Sequence, residues 1–301
     1  MKIVKNRWFW FLFSGVLVVS AVVALATFGL KQGIDFTGGT QLSVRFEKRP
    51  TPVDAEKAMA VFNLNTMTIQ PAGDTDLIFR FKSIDEDTHQ KMIKTMESTF
   101  GKVTELQYNA IGPAVGVELR QKAISSLVII FLLVLAFIAW SFRKVSAPVQ
   151  SWKYGTVVLA SAFHDVIIPV GLFALLGKFL NWEIGTPFIA AVLTIMGYSI
   201  NDTIVVLDRV RENLQKTTGT FEEIVERSIQ QTMLRSFNTS MTTILALLAV
   251  FFFGGESIKE FALALIVGIA TGTYSSIFII PSLLVTWNKF SHKTKQAGTR
   301  A

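Results

Sequence analysis

Long apolar stretches alternate with polar segments along this chain, over about residues 8–30, 123–142, 154–176, 187–207, 236–254 and 261–287. A helix crossing a ~30 Å hydrocarbon core needs about 20 mostly apolar residues, so the pattern predicts six membrane spans. An even number puts both chain ends on one side. Lys2, Lys5 and Arg7 precede the first run, and Ala24-Leu25-Ala26 within it has the look of a cleavage signal. A secretory apolar core is typically about 7–15 residues. This run is longer and is read as an uncleaved anchor.

Between the first two spans the periodicity changes. Leu42, Val44 and Phe46 alternate with polar residues, as do Leu77, Phe79 and Phe81, which is the signature of half-buried strands. A helix is expected over about 53–62 and a further strand from Thr66 to Gln70, with Pro71-Ala72-Gly73-Asp74 supplying turn chemistry. Ser83 and Glu86 have capping-box spacing, and Ile84, Met92, Met96 and Phe100 then recur on one helical face until Gly101. Val103 to Tyr108 can close the sheet. The order βαββαβ is the split βαβ arrangement of ferredoxin-like domains.

The expected organisation is therefore a polytopic α-helical membrane protein carrying a ferredoxin-like α+β external domain between its first and second spans. Residues 1–30 form the tail and first span, 31–120 the external domain, 121–290 five further spans, and 291–301 a tail. Within 208–235, Thr220 and Glu223 make a second capping box. Phe221, Ile224, Val225, Ser228, Ile229 and Met233 follow at helical spacing. That predicts an amphipathic helix near 220–234, lying along the inner membrane face or packed on another protein.

Composition agrees with a membrane protein, since 50% of residues are hydrophobic and only 17% are charged. The formal charge of +7 is concentrated in loops, without the aromatic-interleaved basic patch of a nucleic-acid surface. Fifteen Lys and Arg fall in the segments on the side of the N-terminus, against Lys178 and Lys259 in the two short loops opposite. Short positive loops stay inside, which places both termini in the cytoplasm. Trp8, Trp10, Trp140, Trp152, Trp182 and Trp287 fall near span ends, as an interfacial belt requires. Zero cysteines remove disulfides and thiolate metal sites, and three scattered histidines give no metal-binding spacing. No P-loop, nucleophile elbow or zinc pattern is present. The reading thus assigns no catalytic residue, no metal and no cofactor other than protons as a coupling ion.

Two carboxylates interrupt the apolar runs. Asp202 sits in the fourth span beside Ser199, Asn201 and Thr203, and Asp165 sits in the third beside His164. A charge near the centre of a membrane helix costs roughly 2.5–3.5 kcal/mol on insertion scales, so such groups face a protein interior or a watery path. Arg235 opens the fifth span ahead of Ser236, Asn238, Thr239, Ser240, Thr242 and Thr243. These residues could form one polar cluster able to load and release protons, or could serve helix packing alone. His164, taken by itself, reads as a packing or hydrogen-bonding residue. Gly268, Ala270, Gly272 and Ser275 are read as a close-packing stripe in the sixth span, and Gly254-Gly255 as a turn.

Gly33-Ile34-Asp35-Phe36-Thr37-Gly38-Gly39-Thr40, directly after the first span, closely resembles the signature of the SecD and SecF family of the bacterial protein-export machinery. Ile111 to Leu119, His164-Asp165-Val166, Gly197 to Arg209 and Arg235 to Thr243 resemble further family motifs. Six spans with a small external domain look like the SecF branch rather than SecD, whose external region is much larger. The resemblance implies half of an RND-type transporter in the cell inner membrane. It would pair with SecD as a twelve-span unit beside the SecYEG channel, with YajC and YidC as further possible partners. Such a unit is held to use the proton motive force to move preproteins at late steps, after SecA. By resemblance Asp202 is the proton-linked aspartate, Arg235 its nearby arginine and Asp165 a looser match, while Gly33, Asp35, Phe36, Gly38 and Gly39 are a structural signature. The alternatives are a non-conducting translocon scaffold, half of a small-molecule RND exporter, and an intramembrane aspartyl protease. Against the last, Ser199-Ile200-Asn201 precedes Asp202 where such enzymes carry Gly-x-Gly.

Overall fold

A computed structural model describes residues 2–64, 67–141 and 151–298. It divides into two compact units: Met1–Leu30 with Leu127–Lys178 and Phe188–Ala301, and Lys31–Ser126 with Phe179–Pro187.

The second unit holds the sheet. After the four-residue helix α2 (Ile34–Thr37) come β1 (Gly39–Phe46), α3 (Pro52–Met59), β2 (Thr68–Ala72), β3 (Asp76–Phe81), α4 (Glu86–Phe100) and β4 (Val103–Ile111). The strands lie in the order β2-β3-β1-β4, every neighbour antiparallel. That is the ferredoxin-like topology expected from the βαββαβ order. Alternation aims Leu42, Val44, Phe46, Leu77, Phe79 and Phe81 at one face, where Ala55, Met59, Met92 and Met96 cover them. Ile84 and Phe100 are only partly buried at the edge of this core.

Three local expectations change. The cap of α4 is Asp85, which accepts the N–H of Thr88 at 2.8 Å, and not Ser83. A carboxylate at the N-cap is favoured by the helix dipole as well as by the hydrogen bond. β4 continues past Tyr108, because Gly39 pairs with Ile111 at its far end. The strand expected from Thr66 begins at Thr68, and Thr66 lies outside the described residues.

The first unit is helical: α1 (Arg7–Phe28), α5 (Pro113–Ser141, which begins in the sheet unit), α6 (Ser151–Leu180, whose last two residues lie in the sheet unit), α7 (Thr186–Lys216, whose first two residues lie in the sheet unit), α8 (Phe221–Phe253), α9 (Glu256–Tyr274) and α10 (Ile280–Gly298). Among the described residues six stretches are long and apolar enough to cross a membrane, α9 and α10 forming one of them. The basic residues Arg143 and Lys144 and the tail beyond residue 298 lie outside the described residues.

The separate amphipathic helix near 220–234 is corrected. Residues 221–235 are continuous with the fifth span in a single helix of 33 residues. The Thr220–Glu223 capping box starts it, and no Gly or Pro occurs before Gly254 to stop it. Its apolar face is not spread on a membrane surface. Val225 and Ile229 bury against Val206 and Val210 of α7, and Asn213 donates to Ser228 Oγ at 2.9 Å. Glu226 accepts the backbone N–H groups of Ile3 and Val4 at 2.9 and 2.8 Å, anchoring the N-terminal turn.

Between α9 and α10 the helix widens into a π turn over Ser275–Ile279. Pro281 follows two residues later and has no N–H to give the carbonyl of Ile277. Such a defect is a recognised cause of local widening, and π turns gather at functional sites. On α9 the Cα of Gly268 lies so close to Ile195 that a Cβ would fall 2.2 Å from its Cδ1. Gly272 similarly packs against Ser199, whereas Ala270 is exposed. The small-residue stripe is thus partly a packing seam.

Candidate functional site

Asp165 lies in the middle of α6 and is 0% exposed. Its Oδ1 is hydrogen-bonded to His164 Nδ1 at 2.7 Å. Its Oδ2 gathers Ser275 Oγ at 2.7 Å, Ser161 Oγ at 3.2 Å and Ser199 Oγ at closer range. The far nitrogen of His164 is hydrogen-bonded to Ser14 of α1. Neighbours i and i+1 ordinarily diverge on a helix, yet His164 folds back onto Asp165 and makes a continuous chain of polar groups from α1 to α7. Pro169, four residues on, lacks the N–H that would bond the Asp165 carbonyl. Thr271 Oγ1 reaches that freed oxygen at 3.5 Å.

Asp202, on α7, is 8% exposed. Ser236 of α8 donates to its Oδ1 at 2.5 Å, and Ser276 donates to its Oδ2. The π turn therefore places adjacent serines on different aspartates, Ser275 on Asp165 and Ser276 on Asp202. Each serine also has a second acceptor at 3.0 Å, the carbonyl of Gly272 for Ser275 and of Thr273 for Ser276. A hydroxyl has one proton to donate and lone pairs to accept with, so it can serve an ionised or a protonated carboxyl by turning. The polar seam continues through Ser240, bonded to Thr273 and receiving Tyr198 OH at 3.3 Å.

Not every residue singled out joins this cluster. Asn201 and Arg235 are exposed. Among the described residues Arg235 makes no hydrogen bond or ion pair with Asp202, although it immediately precedes Ser236. Ser199 bonds Asp165 and not its closer chain neighbour Asp202. The buried hydroxyl of Thr203 has no partner among the described residues. Ser14, Ser161 and Ser276 escape sequence reasoning, because a lone serine in an apolar run is an ordinary packing residue. The readable signals were two prolines, Pro169 four residues after Asp165 and Pro281 after the Ser275-Ser276 pair.

The glycine signature occupies a tight junction in the sheet unit. Gly38 and Gly39 have φ of +72° and +139°. A Cβ on Gly38 would lie 2.8 Å from Pro113 Cα, and one on Gly39 would lie 2.8 Å from the carbonyl oxygen of Phe81. Both the backbone angle and the space exclude a side chain. Phe36 is buried, Gly33 N–H donates to the Ile184 carbonyl at 2.9 Å, and Asp35 accepts the N–H of Thr186 at 2.6 Å.

The family described as "Protein export membrane protein SecD/SecF, C-terminal" matches residues 91–290, and the "SecD/SecF GG Motif" matches residues 23–48. The chain belongs to the SecD/SecF family. Among its SecD/SecF relatives, the protein translocase subunit SecF of Thermobaculum terrenum is 42% identical over 300 residues, covering 95% of this chain and 94% of the relative. That of Anaerolinea thermophila is 35% identical over 293 residues, with the same coverage of both chains. The crystal structure of SecDF from Thermus thermophilus, described as a translocon-associated membrane protein, superposes with a TM-score of 0.84 at 32% identity. It covers 96% of this chain, which spans only 39% of the SecDF chain. Both aspartates lie within the segment matched by the SecD/SecF C-terminal family, and the positive-φ glycine pair lies within the matched GG motif.

Proposed function

We propose that this chain is a subunit of a protein translocase of the bacterial inner membrane. Together with a SecD-type partner it uses the proton motive force to promote late steps of preprotein translocation. The observation that carries the reading is the pair of buried carboxyls, Asp165 and Asp202, bonded by adjacent serines of one π turn. Ser275 and Ser276 can each turn to a backbone carbonyl when the carboxyl takes a proton. Protonation at Asp202 thereby alters a bond between α7 and the sixth span without stranding a polar group. The His164–Asp165 chain would pass or hold a second proton. Moving one charge through ~100 mV is worth about 2.3 kcal/mol, enough to bias such a rearrangement.

The role in translocation is supported by the names of the relatives, which are protein translocase subunits. A SecD partner is supported by the single-chain SecDF relative, of which this chain spans 39%. It is supported also by the face of α8 that carries Arg235, Asn238, Thr239 and Thr242, all exposed. Polar residues on a membrane helix belong against protein and not lipid, so this face fits a second helical half. SecYEG, SecA, YajC and YidC are further proposed contacts that follow from the family. With the sheet unit on the outer side, both termini are cytoplasmic, as the distribution of Lys and Arg supports.

The test is preprotein release into inverted membrane vesicles, with and without an imposed proton gradient, comparing the parent with an assembled Asp202→Asn variant. Loss of only the gradient-stimulated increment is expected. An undiminished response would leave Asp202 as a packing residue and the chain as a scaffold.

A further inference from the structure

Residues 179–187, between α6 and α7, form part of the sheet unit and are tied to the stretch that follows α1. Ile184 N–H donates to the Lys31 carbonyl at 2.7 Å and its own carbonyl accepts from Gly33, so that Gln32 and Ile184 form a parallel bridge. Glu183, 9% exposed, pairs with Lys31 at 3.1 Å and with Arg80 of β3 at 3.3 Å. Asp35 accepts the N–H of Thr186, the first residue of α7. Gly185 leaves room for that carboxylate, since a Cβ there would lie 2.7 Å from Asp35 Oδ2.

Each contact has a physical reason to be firm. The first N–H groups of α7 have no partner inside the helix, and a carboxylate there answers both the free donor and the positive end of the dipole. A glutamate buried with two cations is held in place more strongly than an exposed pair. The turn that presents Asp35 is itself fixed by the Gly38–Gly39 junction. α7 then runs unbroken from Thr186 to Lys216 and carries Asp202 sixteen residues on, about 24 Å along the axis at 1.5 Å per residue.

We propose that Asp35 and Glu183 clamp the outer end of α7 to the sheet domain, and that movement of this helix on protonation of Asp202 reaches the sheet domain through the clamp. Asp35 is a positioning residue in this scheme: it acts through Thr186 and α7 and not by contact with Asp202. The clamp stays closed throughout the cycle and transmits displacement as a rigid joint. The proposal rests on the proton-coupled reading of Asp202.

The chain has no cysteine, so a disulfide can be introduced without background. Bridge partners stand at a spacing that a disulfide can span, and Gln32→Cys with Ile184→Cys would close the clamp covalently. Gradient-stimulated preprotein release is measured in vesicles carrying the full chain with its membrane partner, for Asp35→Asn, Glu183→Gln and the cysteine pair alone and combined with Asp35→Asn. Asp35→Asn is expected to lose most of the gradient-stimulated increment and to regain it when the disulfide forms, with reductant abolishing the rescue. Glu183→Gln is expected to lose a smaller part. The disulfide in the otherwise native chain is expected to leave the response intact. Loss of the response on closing that disulfide would overturn the proposal, because the clamp would then have to open. An intact response in both Asp35→Asn and Glu183→Gln, alongside its loss in Asp202→Asn, would overturn the clamp and leave the proton reading standing. An intact response in Asp202→Asn would remove both.

Discussion

The two units of this chain solve opposite problems. In the sheet domain, apolar side chains gather at the centre and most charges lie outside, so Leu42, Leu77, Phe79, Met92 and Met96 are wholly buried and the buried Glu183 is paired with Lys31 and Arg80. In the helical unit, large apolar residues such as Phe9, Leu12, Leu132 and Phe252 face outward, while Asp165, Asp202 and the five serines bonded to them lie inside. Water drives the first arrangement. A lipid environment removes that drive between helices and leaves close packing and internal hydrogen bonds to hold them. The comparison teaches that in the helical unit the proposed proton coupling would draw on the same polar contacts that hold the helices together, whereas the apolar core of the sheet domain serves stability alone.

The sharpest test of that difference is Asp165→Ala, which strips an acceptor from His164, Ser161, Ser199 and Ser275. Leaving buried donors without their acceptor costs about 1–3 kcal/mol for each such group, read as a lowered thermal midpoint of the reconstituted chain. Asp202→Ala should cost less, because two donors lose their acceptor rather than four, Ser275 and Ser276 each keeping a backbone carbonyl. Equal losses would mean that the two sites are not organised differently.

In the sheet domain Leu42→Ala should destabilise by about 2–5 kcal/mol through lost burial and a cavity. Hydrogen exchange should report it in β1 and β3 while α6 and α7 keep their protection. Spread of the effect into those helices would break the separation of the units. Gly268→Ala pushes a methyl into Ile195, and overpacking of this kind costs about 1–3 kcal/mol. Its effect should be confined to the helical unit and be relieved by Ile195→Ala, which removes all three carbons that the new methyl would meet.

The smallest effect is electrostatic. Arg45 meets Asp76 through two hydrogen bonds of 2.8 Å, and this contact holds the Asp76 carboxyl below its ordinary range. Asp85 is lowered as well, chiefly by its bonds to Thr88. A carboxyl with a depressed folded value binds fewer protons when folded. Its contribution is therefore present above about pH 4 and is lost as pH falls through the folded value. Protection of the sheet domain should decline only below that point, and Asp76→Asn should flatten the decline.

Much of this architecture was legible because it repeats locally. The alternation of Leu42, Val44 and Phe46 and the βαββαβ order led to the sheet, and uninterrupted apolar runs led to six spans. The Thr220–Glu223 box marked the start of α8 within one residue. What misled was the change from polar to apolar at residue 235, since a composition boundary inside a helix need not be a structural one. The helix continues because its backbone hydrogen bonds do not depend on which solvent surrounds the side chains.

The site was legible only in part. Asp165, Asp202 and His164 stand out in sequence because charges in apolar runs are expensive, and the glycine pair stands out by its motif. Their partners do not. Ser275 lies 110 positions from Asp165, and Ser276 lies 74 from Asp202, so no local pattern links them. Which serine meets which aspartate depends on how α6, α7 and the sixth span pack and on a π turn that shifts the rotation of two adjacent side chains. Likewise Thr186 meets Asp35 across 151 residues. Short-range periodicity sets the type and extent of each element, because backbone geometry repeats every two or 3.6 residues. Long-range hydrogen bonds between elements follow no such period, and they exist only once the helices have packed.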